Sequence, residues 1–340
     1  METLLQVDRI QTVFRTEAGE VTSVDQVSFD LYKGETVALV GESGSGKSVT
    51  ALSILGLLGK NGRVKQGTIS LEGRQLLEAT PEQMRQIRGN EISIIFQEPM
   101  TSLNPVFSIG SQLTEGIRIH KKWGKKQARE YAVGLLKKVG ISRAEAIMKE
   151  YPHALSGGMR QRVMIAMALA CQPRLVIADE PTTALDVTIQ AQILNVLKAA
   201  RQEYGLSMLL ITHDLGVVAE MADRVLVMYA GQVVEEADVI TLFADPKHPY
   251  TQGLMGSIPR LDAPPGERLP AIPGTVPSPA RMPEGCRFHN RCPYAADKCR
   301  AEQPPLLSAG ENHSARCWFA NDLAAANRPG EQEAGNGQVR

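Results

Sequence analysis

Residues 41–48 read Gly-Glu-Ser-Gly-Ser-Gly-Lys-Ser, a G-x-x-x-x-G-K-[ST] run whose chemistry is phosphate binding. Glycines let backbone N–H groups close around phosphate oxygens with no side chain in the way. Gly41, Glu42, Ser43, Gly44, Ser45 and Gly46 make the cradle, and Val49 follows in the first helical turn. Lys47 reaches the outer phosphates, and the Ser48 hydroxyl is placed to ligate Mg²⁺. A helix that starts here directs its positive pole at the same anion.

Hydrolysis of a nucleotide needs a carboxylate beside that cradle. Leu175-Val176-Ile177-Ala178-Asp179-Glu180 is an apolar strand that ends in two acids. Asp179 would hold Mg²⁺, and Glu180 would polarise the attacking water. Alone, the pair would read as a solvated acidic turn; after a phosphate loop it reads as catalytic. Residues 155–159, Leu-Ser-Gly-Gly-Met, open a long apolar helix, and Ser156, Gly157 and Gly158 make either an ordinary cap or a second anion cradle. One terminal phosphate does not need two cradles from one chain, so the second would serve the nucleotide of a partner subunit.

Cys286, Cys292, Cys299 and Cys317 are spaced C-x5-C-x6-C-x17-C. Four thiols in a loop-rich segment suit a metal centre. No gap has the C-x2–4-C spacing usual for structural zinc, and Cys292-Pro293 matches a step of ferredoxin cluster motifs. An iron–sulfur cluster, zinc and unliganded thiols all stay open on spacing alone. His289 and His313 are possible substitute ligands that read more simply as surface residues. Cys171 stands alone in an apolar helical stretch and is expected to be a small core residue.

These groups need elements to position them. Thr36-Val37-Ala38-Leu39-Val40 predicts the strand before the phosphate loop, and Ala51, Leu52, Leu55 and Leu58 predict one face of the helix after it. Residues 93–96, 175–178 and 208–211 are short and apolar throughout, as in the buried middle of a parallel sheet. Residues 1–37 alternate, as in Val27-Ser28-Phe29-Asp30-Leu31, and predict antiparallel strands beside that sheet. Residues 100–155 are charged and helical, an inserted subdomain. Residues 225–229 and 232–234 flank Ala230-Gly231 and predict a hairpin. Eight prolines crowd residues 259–283, which predicts extended chain. No internal repeat is visible.

With 340 residues, 43% of them hydrophobic, there is material for two to three domains. Lys+Arg and Asp+Glu both total 37, and this balance argues against a nucleic-acid surface. No run approaches the ~18 apolar residues of a membrane span. Met-Glu-Thr-Leu-Leu-Gln-Val-Asp shows neither a basic nor a long apolar leader region, so a cytosolic chain is expected.

In order and spacing, residues 1–240 resemble the ATP-binding cassette (ABC) family. The matching points are the phosphate loop, Gln97 after a strand, Leu-Ser-Gly-Gly, the Asp179-Glu180 strand, Ala184-Leu185-Asp186 and His213. The resemblance implies an α/β P-loop NTPase cassette with a mostly parallel sheet core, an antiparallel β subdomain and an inserted helical subdomain. A small Cys-rich C-terminal extension follows. It implies a head-to-tail dimer that sandwiches two ATP molecules. Gln97 would sense Mg²⁺ and the membrane partner, Asp186 would communicate across the dimer, and His213 would contact the γ-phosphate. Phe14 would stack on adenine, or is a plain core aromatic. Met159 departs from the Gln that many cassettes carry there.

Residues 97–105, 179–188 and 247–251 narrow the resemblance to ATPase subunits of dipeptide and oligopeptide importers, whose relatives also move nickel, glutathione and opines. It implies a [4Fe–4S] cluster on the four cysteines, with Zn²⁺ as the alternative. It implies a second, related but non-identical ATPase subunit, two membrane permease subunits and an extracytoplasmic solute-binding protein, at the cytoplasmic face of the inner membrane. The expected division is residues 1–235 as nucleotide-binding domain, with about 98–158 inserted, 236–325 as extension and 326–340 as a disordered tail. The competing readings are an ABC ATPase acting on DNA or ribosomes, and a nucleotide-gated redox module centred on residues 259–320.

Overall fold

The computed structural model describes residues 2–98, 102–183, 186–258 and 271–323. Pro99-Met100-Thr101, Ala184-Leu185, the prolines from 259 to 270 and the tail 326–340 lie outside the described residues.

The alternating N-terminal segment forms β1 (Thr3–Thr16) and β2 (Gly19–Tyr32), an antiparallel pair. Val27, Phe29 and Leu31 all point inward from β2. The next strand, β3 (Thr36–Val40), is buried at every position and runs into α1 (Lys47–Leu55). This helix stops earlier than the apolar spacing predicts. Gly56 caps it at φ 59°, and its buried apolar residues are Ala51, Ile54 and Leu55, so Leu58 lies past its end.

Strands β4 (Gly62–Leu71) and β5 (Arg74–Gln75) complete a four-stranded sheet in the order β2-β1-β4-β5. Helix α2 (Pro81–Ile87) begins in a Thr80/Gln83 capping box and leads to β6 (Ile92–Ile95). The charged insertion is helical as expected: α3 (Ile109–Lys121), α4 (Lys125–Lys138) and α5 (Ala144–Ile147). They share a core with α6 (Gly157–Leu169) through Leu113, Ile117, Leu136 and Val163.

The chain then alternates through β7 (Leu175–Asp179), α7 (Val187–Tyr204), β8 (Ser207–Thr212), α8 (Leu215–Met221), β9 (Arg224–Tyr229) and β10 (Gln232–Asp238). Two helices follow, α9 (Val239–Ala244) and α10 (Pro249–Gly256). Among the described residues beyond 271 come α11 (Asp297–Ala301), β11 (Leu307–Gly310) and β12 (His313–Ala315).

The large sheet has eight strands in the order β11-β12-β10-β9-β3-β8-β7-β6. From β9 to β6 every pairing is parallel, and the β9–β10 hairpin turns through Ala230 and Gly231 at φ 46° and 84°. The boundary expected at residue 235 falls inside β10. Glu235 pairs with Ala315 of β12, so the C-terminal extension continues the sheet.

Candidate functional site

The phosphate loop sits between the C-terminal end of β3 and the first turn of α1, at the carboxyl edge of the parallel strands, where such sheets bind ligands. Gly41 is required by contact. At φ 150°, a Cβ there would stand 2.2 Å from the Met228 carbonyl oxygen of β9. Lys47 is buried, and its Nζ donates to the carbonyls of Gly41 at 2.6 Å and Glu42 at 3.0 Å. Burial holds the Lys47 ammonium below its usual range, against the pull of Glu180, Asp179 and Glu42.

β7 delivers both acids to this loop. Asp179 is 7% exposed and accepts a hydrogen bond from Ser48 Oγ at 3.1 Å. Burial raises its carboxyl above the usual range, the Ser48 bond only partly offsetting it. Glu180 follows at φ 47°, a left-handed conformation unusual for a non-glycine residue, with its N–H held by Ile211 O at 2.8 Å. Three side chains converge on its carboxylate. Gln97 Nε2 and Thr183 Oγ1 donate to Oε2 at 2.9 and 2.8 Å, and His213 Nδ1 lies 3.1 Å from Oε1. Burial alone would raise Glu180; the Thr183 and His213 hydrogen bonds outweigh it and hold the carboxyl below the usual range.

Gly41, Glu42, Ser43, Gln97, Glu180, Thr183 and His213 line one cleft of about 820 Å³. Its floor is the loop and its far wall is the end of the β7 and β8 strands. Val49 lies half-buried within α1, behind the loop. Ser156, Gly157 and Gly158 are not among the lining residues. They lie at the start of α6, Ser156 and Gly157 exposed and Gly158 half-buried, and Ser156 Oγ accepts the Met159 N–H at 3.4 Å. Asp186 caps α7 by accepting the Ile189 N–H at 2.9 Å. The buried Gln161 of α6 donates to Pro181 O at 2.7 Å, tying the serine–glycine helix to the turn after Glu180. Phe14 is half-buried on β1, with its ring against Gly62.

Cys286, Cys292, Cys299 and Cys317 come together around a second, small enclosed cavity walled by His248, Phe288, Trp318 and Phe319, with no carboxylate in its lining. Burial pushes the thiols of Cys286, Cys292 and Cys317 up, Cys292 to about 12 and Cys317 to about 11. Among the described residues, no three His, Cys, Asp or Glu side chains stand close enough to hold a metal ion as placed. His289 bonds the Cys286 carbonyl at 2.8 Å. His313, expected at the surface, is buried: its Nε2 meets Glu235 Oε1 at 2.7 Å, and both side chains are at most 2% exposed. Cys171 is buried, as expected.

Sequence reasoning assigned no role to Thr183, which lines the cleft, or to Tyr250 and Arg291, which bond its Glu42. Thr183 and Tyr250 lay inside motifs already noted, but Arg291 carried no local signal. Arg291 Nη1 and Nη2 reach Glu42 Oε2 and Oε1 at 2.6 and 3.0 Å, and the Glu42 N–H donates to Tyr250 Oη at 2.8 Å.

Comparison with known proteins agrees with this geometry. The family described as ABC transporter matches residues 24–183, and that described as oligopeptide/dipeptide transporter, C-terminal region, matches residues 234–299. The oligopeptide transport ATP-binding protein AppD of Bacillus subtilis is 58% identical over 328 residues, covering 96% of this chain and 99% of that one. A putative peptide import ATP-binding protein of Brucella abortus is 52% identical over 333 residues, covering 95% and 98%. Among solved structures, the dimeric post-hydrolysis cassette MJ0796 bound to ADP and Pi superposes with a TM-score of 0.63 at 25% identity, over 69% of this chain and 99% of that one. The cbiO1 subunit of the Clostridium perfringens cbiONQ complex gives 0.61 at 25% identity, over 72% and 92%.

Proposed function

Because the chain belongs to the ABC transporter ATP-binding family, in its oligopeptide and dipeptide branch, we propose that it is the ATP-hydrolysing subunit of a di-/oligopeptide importer. The observation that carries the reading is the ionised Glu180, fixed by Gln97, Thr183 and His213 in a cleft floored by the phosphate loop. A carboxylate held low and hydrogen-bonded on both oxygens is suited to orient water. Residues 41–49 bind the phosphates of ATP. Ser48 and Asp179, already in contact, hold Mg²⁺ with Gln97 nearby; the ion supplies charge neutralisation at the phosphate oxygens. A cation there also relieves the burial penalty on the Asp179 carboxylate. His213 faces the γ-phosphate, and Phe14 takes the adenine.

Ser156, Gly157 and Gly158 at the start of α6, with Asp186 at the start of α7, act on the nucleotide of a second, related ATPase subunit in a head-to-tail dimer. Two permease subunits and an extracytoplasmic solute-binding protein complete the importer. The chain is peripheral at the cytoplasmic face of the membrane; among the described residues no helix is long and apolar enough to cross one. Residues 1–235 act as the nucleotide-binding domain and 236–325 as its extension. The four cysteines hold a [4Fe–4S] cluster in preference to Zn²⁺. Their convergence on one carboxylate-free cavity fits an all-thiolate donor set. A bound cation would also offset the burial that keeps these thiols protonated.

Glu180→Gln in the assembled transporter tests the catalytic assignment. ATP hydrolysis should fall about 10²–10⁴-fold, the range for loss of a general base, while ATP binding persists. Near-normal turnover would sink it. Peptide uptake by cells carrying the chain with its permeases should fall in parallel.

A further inference from the structure

One wall of the nucleotide cleft does not come from residues 24–183. Gly274, Thr275 and Val276, just upstream of the cysteines, line it beside Glu42, Glu180 and His213. Arg291 holds that wall in place. Its Nε donates to Pro273 O at 2.8 Å and its Nη2 to Ile272 O at 3.4 Å, while the fork of the guanidinium grips Glu42. The Arg291 side chain is only 4% exposed, and it lies over the rings of Tyr229 and Phe288. The extension therefore grips the second residue of the phosphate loop twice, through its carboxylate by Arg291 and through its N–H by Tyr250.

We infer that Arg291 is a positioning residue for the nucleotide site: it neutralises Glu42 at the cleft mouth and fixes residues 272–276 as a wall, so the C-terminal extension sets ATP affinity. The inference rests on the reading of residues 41–48 as the ATP site. A carboxylate in the phosphate loop faces a ligand with several negative charges, and like charges in a half-buried cleft repel. The bidentate pair removes that charge and fixes the carboxylate's direction. Lysine could supply the charge but not the fork, nor both carbonyl contacts.

The test is Mg·ATP titration and steady-state ATPase kinetics on the full-length chain. Arg291→Gln should weaken ATP binding about tenfold, equivalent to about 1.4 kcal/mol, and raise KM with kcat changed less than about threefold, the pattern of lost ground-state binding. Arg291→Lys should fall between. Adding Glu42→Gln to Arg291→Gln should recover most of the lost affinity, because neither unpaired charge remains. A merely structural role for Arg291 predicts no such recovery, and its absence would overturn the inference. Tyr250→Phe, which removes one hydroxyl, carries the test if Arg291→Gln does not fold; a loss of about threefold is expected for one hydrogen bond, and wild-type affinity would overturn the inference. Lys47→Ala separates the two readings. If it abolishes binding while Arg291→Gln binds normally, the inference alone fails. If Lys47→Ala binds ATP normally, the site reading fails and takes the inference with it.

Discussion

The central sheet and the C-terminal extension are held together by different interactions. β3, β7 and β8 are buried at every position, and Val176, Ile177, Leu209 and Leu210 have no exposed surface. Among the described residues from 271 to 323, only Phe288, Cys299, Pro304 and Ala315 are buried apolar side chains. This segment is fastened to distant parts of the chain by the ion pairs Arg287–Asp25 and Arg291–Glu42 and by the buried His313–Glu235 hydrogen bond. In a sheet built on apolar burial, truncating one side chain costs its transfer energy and the cavity left behind. In a segment fastened by ion pairs, losing one partner strands the other charge. One of these pairs, Arg291–Glu42, connects the extension to the loop at residues 41–48.

The largest effect that separates the two regions belongs to the sheet. Ile177→Ala removes a fully buried side chain between β6 and β8 and should cost ~2–5 kcal/mol of global stability. Denaturant unfolding should show one shifted transition, with iron per folded chain unchanged. A loss under ~1 kcal/mol would mean that this core collapses around the gap and is no less forgiving than the extension.

A smaller effect should appear within the extension and sharpen its link to the cleft. Cys292 follows Arg291 directly, whereas Cys317 lies beyond β12. If the four cysteines hold a cluster, wild-type protein purified anaerobically should carry about four irons per chain. Cys292→Ser and Cys317→Ser should both lower that content. Cys292→Ser alone should also weaken ATP binding, by about threefold, by loosening the Arg291 anchor. Equal ATP affinity in the two variants would separate the cysteine cavity from the phosphate loop. Stoichiometric zinc without iron would move the assignment to a structural zinc site.

Residues 41–48, Asp179 and Glu180 were legible in the sequence because a phosphate cradle and a strand-end carboxylate are local patterns. Gln97 and His213 were reached through the resemblance to ABC cassettes, in whose pattern each follows a strand. The end of α1 was misread because the cap at Gly56 outweighs the apolar spacing that runs on to Leu58. Contacts across long stretches of chain left no pattern at all. Arg291 lies 249 residues from Glu42, and β12 joins β10 through Glu235, 78 residues from His313. In the linear chain, Arg291 and His313 look like polar residues of a loop.

The smallest expected effect concerns Cys171, the thiol on the other side of the comparison. It lies just past the end of α6, 7% exposed, with its Sγ 3.8 Å from Gly116 O. Burial pushes its thiol up, so it stays protonated and unreactive. Cys171→Ser keeps the shape nearly unchanged and places a hydroxyl where the Gly116 carbonyl can accept its hydrogen bond. The remaining cost is exchange of a weakly polar sulfur for a more polar oxygen among apolar neighbours, about 1 kcal/mol when a hydrogen-bond partner is available. Iron content and ATP affinity should match wild type, and the thermal midpoint should fall by a few degrees at most. Thiol reagents should label the folded wild-type Cys171 slowly. Rapid labelling, or iron lost on Cys171→Ser, would place this thiol with the reactive four and erase the division between core and extension.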